Sequence, residues 1–188
     1  GAITQAGKIT EMGKRMARFP LHPRQSRIFV EAEKRGCPNR GALIAALIGE
    51  RDLRARNTLS APAAREPSGN SDLFAQEALF LVAQKSKFDP IRLQEIGINP
   101  GAYQVVKRAT EQILRLRQQH GDGDEDGSEE LIKMSVLTGY ADQVAKRQAS
   151  DNDQVLSGVK TLLLMNGATA QLAADSGVGD AEFIVAIE

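Results

Sequence analysis

The hydrophobic period of this chain changes once, and that change limits the folds open to it. Up to about Lys146, apolar residues recur every three or four positions, which is typical of amphipathic helices. Beyond that point, short apolar runs alternate with turn residues, which is typical of strands. We therefore expect a mainly α protein, namely a helical bundle followed by a short C-terminal antiparallel β segment.

Side chains that can accept hydrogen bonds from free helical N–H groups, often followed by proline, mark the expected helix starts. They occur at Thr10, Asn70-Ser71, Asp89-Pro90, Asn99-Pro100 and Ser128. The elbow Phe19–Arg24 contains two prolines, of which Pro20 is expected to end the first helix and Pro23 to open the second.

Three helical segments have apolar positions that predict their buried sides. Ala42–Ile48 is apolar nearly all round, so it is expected to be the central buried helix. The helix after Ser71 has a predicted apolar side of Leu73, Phe74, Ala78, Leu79, Leu81 and Val82. The stripe after Pro100 consists of Tyr103, Val106, Ala109, Ile113, Leu114 and Leu116. A last helix is expected from Glu129 to about Lys146.

The β segment is predicted from four short runs near the end of the chain. Asn166-Gly167 between two of them favours a hairpin, because both residues tolerate a positive φ. Four strands of this length are too few to close a barrel. The predicted strands are Val155–Gly158, Thr161–Met165, Ala168–Ala173 and Glu182–Ile187.

Charge is distributed very unevenly, although the 188-residue chain has 24 basic and 24 acidic side chains. Residues 1–65 have a net charge of +8, and residues 119–188 have a net charge of −9. A basic first third favours a phosphate-facing surface, because Lys and Arg displace counterions from a nucleic acid. The alternative interpretation is an ordinary solvated face of a helical domain.

No group of residues has the spacing of a catalytic or metal site. Asp122–Gly127 matches part of a calcium-binding loop, but Lys133 stands where the bidentate carboxylate should be. His22 is interpreted as an elbow residue with a hydrogen-bonded ring, and Cys37 as a packed thiol. We therefore expect no catalytic residue, no cofactor site and no metal site in this chain.

The cellular compartment is predicted from the cysteine content, the N-terminal residues and the lengths of the apolar runs. Its single cysteine excludes an internal disulfide, and it has no recognisable secretory signal. The longest apolar runs fall far short of the roughly 20 residues needed to cross a bilayer. A cytoplasmic location without membrane association is expected.

Several motifs, taken in order, resemble the C-terminal accessory region of DEAH-box helicases, and the His-Pro-Arg version is similar to the bacterial HrpB type. The resemblance covers nearly the whole chain. Its motifs lie in Gly1–Thr4, Gly7–Gly13, Met16–Arg24, Ala45–Leu53, Gly69–Leu73, Gly139–Arg147, Leu164–Ala168 and Phe183–Ala186.

The resemblance implies a division of the chain and a parent protein. Residues 1–21 would end a winged-helix segment, 22–120 and 131–149 would form the helical ratchet bundle, and 150–188 would begin an oligonucleotide-fold β segment. Residues 121–130 form an acidic loop outside the resemblance. The parent would be an ATP-dependent RNA helicase, a nucleoside-triphosphate hydrolase whose RecA-like motor domains bind ATP and Mg. The accessory part would help close a channel over single-stranded RNA or another nucleic acid.

Candidate nucleic-acid-binding residues flank a long basic stretch rich in helix breakers. Arginines that leave a buried helix can reach phosphates, and a following helix start offers free N–H groups. Asp72 would repel a phosphate, so it is expected to orient an arginine or the helix cap. The candidates are Arg51, Arg54, Arg56, Asn70, Ser71 and Asp72. The structural alternative is that Arg51 and Asp52 only tie the loop to the bundle.

A second class of function remains open at this point. The same helices and oppositely charged ends are compatible with a helical protein-interaction module without enzymatic activity. Such a module would bind protein partners, or its two ends would bind each other. RNA affinity that falls with salt separates the two hypotheses, because only the helicase accessory region requires it.

We predict that the purified 188-residue chain does not hydrolyse ATP. Residues 6–10 superficially resemble a phosphate loop, but the first glycine is missing and Ile9 replaces the hydroxyl that would hold magnesium. Phosphate release, measured with and without single-stranded RNA, should equal that of a protein-free blank. RNA-stimulated turnover would contradict the prediction.

Overall fold

The structure is a computed structural model that describes residues 1–50, 53–54, 71–86, 89–117, 127–148, 161–173, 176–178 and 181–187. Its helices are α1 Glu11–Met16, α2 Pro23–Lys34, α3 Pro38–Gly49, α4 Asp72–Lys85, α5 Pro90–Glu95, α6 Pro100–Arg115 and α7 Glu129–Gly139. A 3₁₀ turn, Ala141–Gln143, leads into β1 Val144–Arg147, β2 Thr161–Leu164, β3 Thr169–Gln171 and β4 Phe183–Val185. The prediction of a mainly α fold with a short antiparallel β segment is confirmed.

Most of the predicted helix starts are confirmed by their hydrogen bonds. The Thr10 hydroxyl accepts from the Gly13 N–H at 3.0 Å, and Asn99 Oδ1 accepts from Gly101 at 2.9 Å. Asp89 and Ser128 cap α5 and α7 in the same way. Ser71 is the exception, because it precedes α4 but its side chain makes no capping hydrogen bond.

The elbow between α1 and α2 forms as expected around His22. Its Nδ1 accepts from the Arg24 N–H at 3.4 Å, while the Gln25 side chain accepts from the His22 N–H. The first helix ends at Met16, before the predicted stop at Pro20. Phe19 in the elbow is buried and packs edge-on against Phe29, with ring centroids 4.7 Å apart.

The bundle is built around α3, which is buried along most of its length as predicted and packs against α2, α4, α6 and α7. Gly41 lets α2 and α3 approach closely, since a Cβ at Gly41 would lie 2.2 Å from the Cβ of Ala32. The buried Cys37 thiol donates to the Ala32 carbonyl oxygen at 3.3 Å, and burial raises its pKa. The interpretation of Cys37 as a packed thiol is confirmed.

The buried side of α4 agrees with the prediction in part, because Leu73, Phe74 and Leu79 are partly buried against the helical core. Glu77, Phe80 and Ala83 face the core, whereas Leu81 and Val82 are 44% and 50% exposed. The reason is tertiary, because Glu77 forms a bidentate ion pair with Arg40 of α3, with both N–O distances 2.7 Å. That pair directs Glu77 inward, so a charged side chain occupies part of the buried side of α4.

The last helix is shorter than the predicted Glu129 to Lys146. It ends at Gly139, where a Cβ would lie 2.7 Å from the Arg24 carbonyl oxygen, so the close contact with α2 requires glycine. Val144–Arg147 is a strand because its backbone pairs on both sides, with β2 and with β4. Pairing with distant segments therefore overrides the local helical pattern there.

The strands form one antiparallel sheet in the order β3-β2-β1-β4. The hairpin at Asn166-Gly167 is confirmed, with Gly167 at φ +84° and the Leu164 N–H donating to the Ala168 carbonyl oxygen at 2.9 Å. Three of the predicted strands correspond to β2, β3 and β4. The strand predicted at 155–158 lies outside the described residues.

We predict that Gly41→Ala destabilises the bundle. The new methyl group would overlap Ala32, so overpacking should lower the free energy of unfolding by about 1–3 kcal/mol. Chemical denaturation measures this change. The control Gly1→Ala adds a methyl whose nearest neighbour, Arg27 Nη1, would lie at an ordinary contact distance of 3.9 Å, so it should not lower stability. Equal stability of the Gly41→Ala variant and the native chain would contradict the proposed helix contact.

Candidate nucleic-acid interface

The beginning of the arginine-rich stretch is fixed to the bundle through Leu53. This side chain is fully buried, its N–H donates to Gln76 Oε1 at 3.0 Å, and its carbonyl oxygen accepts from the Asn99 N–H at 2.8 Å. Arg54 forms an antiparallel bridge with Ile98. The backbone of Arg54 is therefore held beside the N-terminus of α6. Arg51, Arg56 and Asn70 lie outside the described residues.

Among the described residues, Asp72 is held by the β segment and not by an arginine. Its carboxylate accepts from the Ser176 hydroxyl at 2.5 Å and from the Gly177 N–H at 2.6 Å. As the first residue of α4, it also places negative charge at the positive end of the helix dipole. The expectation that Asp72 orients an arginine or the helix cap stays a prediction, because Arg51 and Arg56 lie outside the described residues. The structure adds a contact between α4 and the segment around Ser176.

Gln76 connects the two described parts of the candidate site. It lies four residues after Asp72, so the two side chains project from the same side of α4. Because Gln76 holds Leu53 and Asp72 holds Ser176, that side of α4 contacts both the start of the arginine-rich stretch and the β segment. The sequence contained no motif that singled out Gln76 or Ser176, since each acts through a residue distant in the chain.

A cleft of about 800 Å³ lies between the bundle and the sheet. Ser71, Asp72 and Gln76 line part of it, and most of its walls are apolar side chains from α3, α4, α7 and the sheet. Lys133 is the one basic residue among the described residues that line it. These walls do not supply the several cations that a phosphodiester chain requires.

Many arginines in the basic first third form ion pairs within the fold. Glu31 is buried and pairs with Arg27 of α2 at 3.6 Å and with Arg35, the residue after α2, at 2.9 Å. Glu33 pairs with Arg15 at 2.8 Å and with Arg117 at 3.3 Å. Each of these arginines forms an ion pair within the fold. Its charge is therefore partly neutralised by a neighbouring glutamate before any external anion binds.

Arg40 has the densest set of such contacts. Besides its bidentate pair with Glu77, its Nη1 donates to the Gly127 carbonyl oxygen at 2.7 Å. Its guanidinium also lies 5.1 Å from the centre of the Phe74 ring. Arg40 thus joins α3 to α4 and to the chain that enters α7. The acidic stretch before Gly127 falls mainly outside the described residues, so its predicted lack of a metal site stays a prediction.

Arg24 brings together two motifs that are more than 100 residues apart in the sequence. Its guanidinium donates to both carboxylate oxygens of Asp142, at 2.5 and 2.7 Å, and to the Gly139 carbonyl oxygen at 3.1 Å. It also lies 5.1 Å from the centre of the Tyr140 ring. The hydrogen bonds from Arg24 lower the pKa of the Asp142 carboxyl to about 2. This clamp fixes the point where α7 leads into the sheet.

Residues 1–21 match the family model of the helicase associated domain (HA2), winged-helix. The match supports a helicase accessory region of the DEAH type, in agreement with the resemblance found in the sequence. Among the helices formed by the described residues, none has both the length and the apolar character to span a membrane.

We predict that Asp142 titrates far below an ordinary aspartate. Its pKa is about 2, compared with an ordinary value of 3.8, so the Arg24–Asp142 clamp is complete above about pH 4 and is lost as the pH falls through 2. Carbon NMR of the Asp142 carboxyl measures this titration. Arg24→Gln should return the pKa toward 3.8, whereas Arg15→Gln, which removes a partner of Glu33, should leave it unchanged. An Asp142 that titrates near 3.8 in the native chain would contradict the clamp.

Proposed function

We propose that this chain is the accessory, nucleic-acid-channel part of an HrpB-type DEAH-box RNA helicase. The observation that carries the proposal is the match of residues 1–21 to a helicase-associated winged helix, because this segment leads directly through the His22 elbow into the bundle. The ATPase motor is assigned to RecA-like domains of the parent protein, which would bind ATP and Mg. The expected location is the cytoplasm.

The surface assigned to the nucleic acid is the arginine-rich stretch beside the N-termini of α4 and α6. Two hydrogen bonds hold the buried Leu53, so the neighbouring Arg54 starts from a fixed position. Arg51 and Arg56 flank it in the sequence, and Asn70 and Ser71 precede α4. Guanidinium groups and helix N-terminal N–H groups both donate to phosphate oxygens without reading base sequence. Weak, sequence-independent and salt-sensitive binding is therefore expected.

The second candidate, a helical protein-interaction module, is favoured by one observation. Leu81 and Val82 of α4 are 44% and 50% exposed, so α4 offers apolar area that a protein partner could bury. In the first proposal, the RecA-like domains of the parent are the natural partner for such a surface. The two proposals therefore differ in whether the chain binds RNA.

We predict that replacing Arg51, Arg54 and Arg56 together by Ala weakens binding to single-stranded RNA and reduces its salt dependence. In a plot of log affinity against log salt concentration, each phosphate contact contributes a slope of about −0.7. Loss of three contacts should therefore make the slope less steep by up to about 2. Fluorescence anisotropy with a labelled oligonucleotide, repeated at several salt concentrations, measures both quantities.

The matched control replaces Lys8, Lys34 and Arg108 by Ala, which removes the same charge from exposed positions elsewhere. This control should retain the native salt slope. Equal losses in both triple variants would show a diffuse charge effect and overturn the assigned surface. If the native chain binds no RNA at low salt, the protein-interaction module becomes the better explanation.

A further inference from the structure

The sheet and the helices bury separate sets of side chains. One continuous core joins the helices from α1 to α7, whereas Ala145 and Leu162 of the sheet are buried outside that core. Val185 and Ile187 touch the helical core only as partly buried residues. Among the described residues, close packing is mainly helix against helix or strand against strand. The sheet is therefore a second packing unit next to the bundle.

Within the part of the chain that the structure describes, two polar contacts join these units. The first is the clamp at residues 139–143, where Arg24 holds Gly139 and Asp142 immediately before β1. The second is the contact of Asp72 with Ser176 and Gly177, in the part of the chain between β3 and β4. The Ser176 hydroxyl also accepts from the Val178 N–H at 3.2 Å, so the segment 176–178 is folded around this contact.

We propose that the sheet is a flap over the cleft, with a hinge at residues 139–143 and a latch at Asp72. The hinge contains the chain connection from α7 to β1, so it persists when the flap moves. The latch consists only of side-chain and backbone hydrogen bonds between segments about a hundred residues apart. It can release without unfolding either unit.

The chemistry of Asp72 suits a reversible latch. In the closed state its carboxylate accepts two short hydrogen bonds, and in the open state water replaces those donors. At the first position of α4, the helix dipole stabilises the charge in both states. A net hydrogen bond between protein groups is weak because water competes for the same groups. If the contact at Asp72 were apolar, opening would expose its buried area to water, and the free-energy cost would rise with that area.

Release of the latch moves the apolar walls of the cleft apart and uncovers Val185 and Ile187, which pack against the helical core. Those walls come from both units, so they separate only if the sheet moves away from the bundle. They include Leu47, Phe74, Leu137, Leu162 and Leu164. Opening therefore has two consequences that can be measured independently, namely a change in distance between the units and new apolar surface.

The experiment measures both consequences in the full chain. Spin labels on Ala78→Cys in α4 and Thr169→Cys in β3 report the distance between the two units, and both positions are exposed. The native Cys37 is 1% exposed and stays unlabelled. Asp72→Asn and Ser176→Ala should each lengthen or broaden the distance distribution and increase the fluorescence of an apolar dye. The opening equilibrium should rise on the order of ten-fold for the loss of a hydrogen bond to a charged group.

Glu129→Gln is the matched control, because it removes a carboxylate from the first position of α7, where its ion-pair partner is Lys133. It should leave the distance and the dye fluorescence at native values. Ser176→Ala changes no helical residue, so it decides the result if Asp72→Asn loses helical circular dichroism. Native distances in the Ser176→Ala variant would overturn the latch. An equal change in Glu129→Gln would also overturn it, since the effect would then come from helix charge.

Discussion

The ion pair between Arg40 and Glu77 fixes the rotation of α4, and most of the candidate site depends on that rotation. Glu77 is 7% exposed and receives two guanidinium hydrogen bonds, each 2.7 Å long. A buried pair of this kind adds little net stability, but breaking it by removing one partner typically costs about 3–5 kcal/mol. Its main effect here is therefore orientational. With Glu77 directed at α3, Gln76 reaches Leu53 and Asp72 reaches Ser176.

Local chemistry explains which features of the fold could be predicted from the sequence. Thr10, Asp89, Asn99 and Ser128 cap their helices through hydrogen bonds that span two or three residues, so their effect is visible in a short stretch of sequence. The Asn166-Gly167 turn is equally local. The central position of α3 was also predictable, because a helix that is apolar nearly all round must be buried on most sides.

Features that depend on distant partners were not predictable in the same way. The side of α4 that is buried depends on Arg40, and the end of α7 depends on a contact between Gly139 and α2. Asp72 looked like a helix cap, yet its partners lie a hundred residues further along the chain. Arg24 and Asp142 were each part of a recognised motif, but no pattern in the sequence indicated that they meet.

The ion pairs within the bundle change the interpretation of the basic first third of the chain. Glu31, Glu33 and Glu77 hold their arginines at the sides of the helices, so a large share of the basic first third has a structural role. Fewer arginines are therefore left on the surface to bind the phosphates of a nucleic acid. The arginines of this region therefore have two different roles. Arginines within the bundle set the orientation of the helices, and that orientation in turn places Arg54 and the cleft between bundle and sheet.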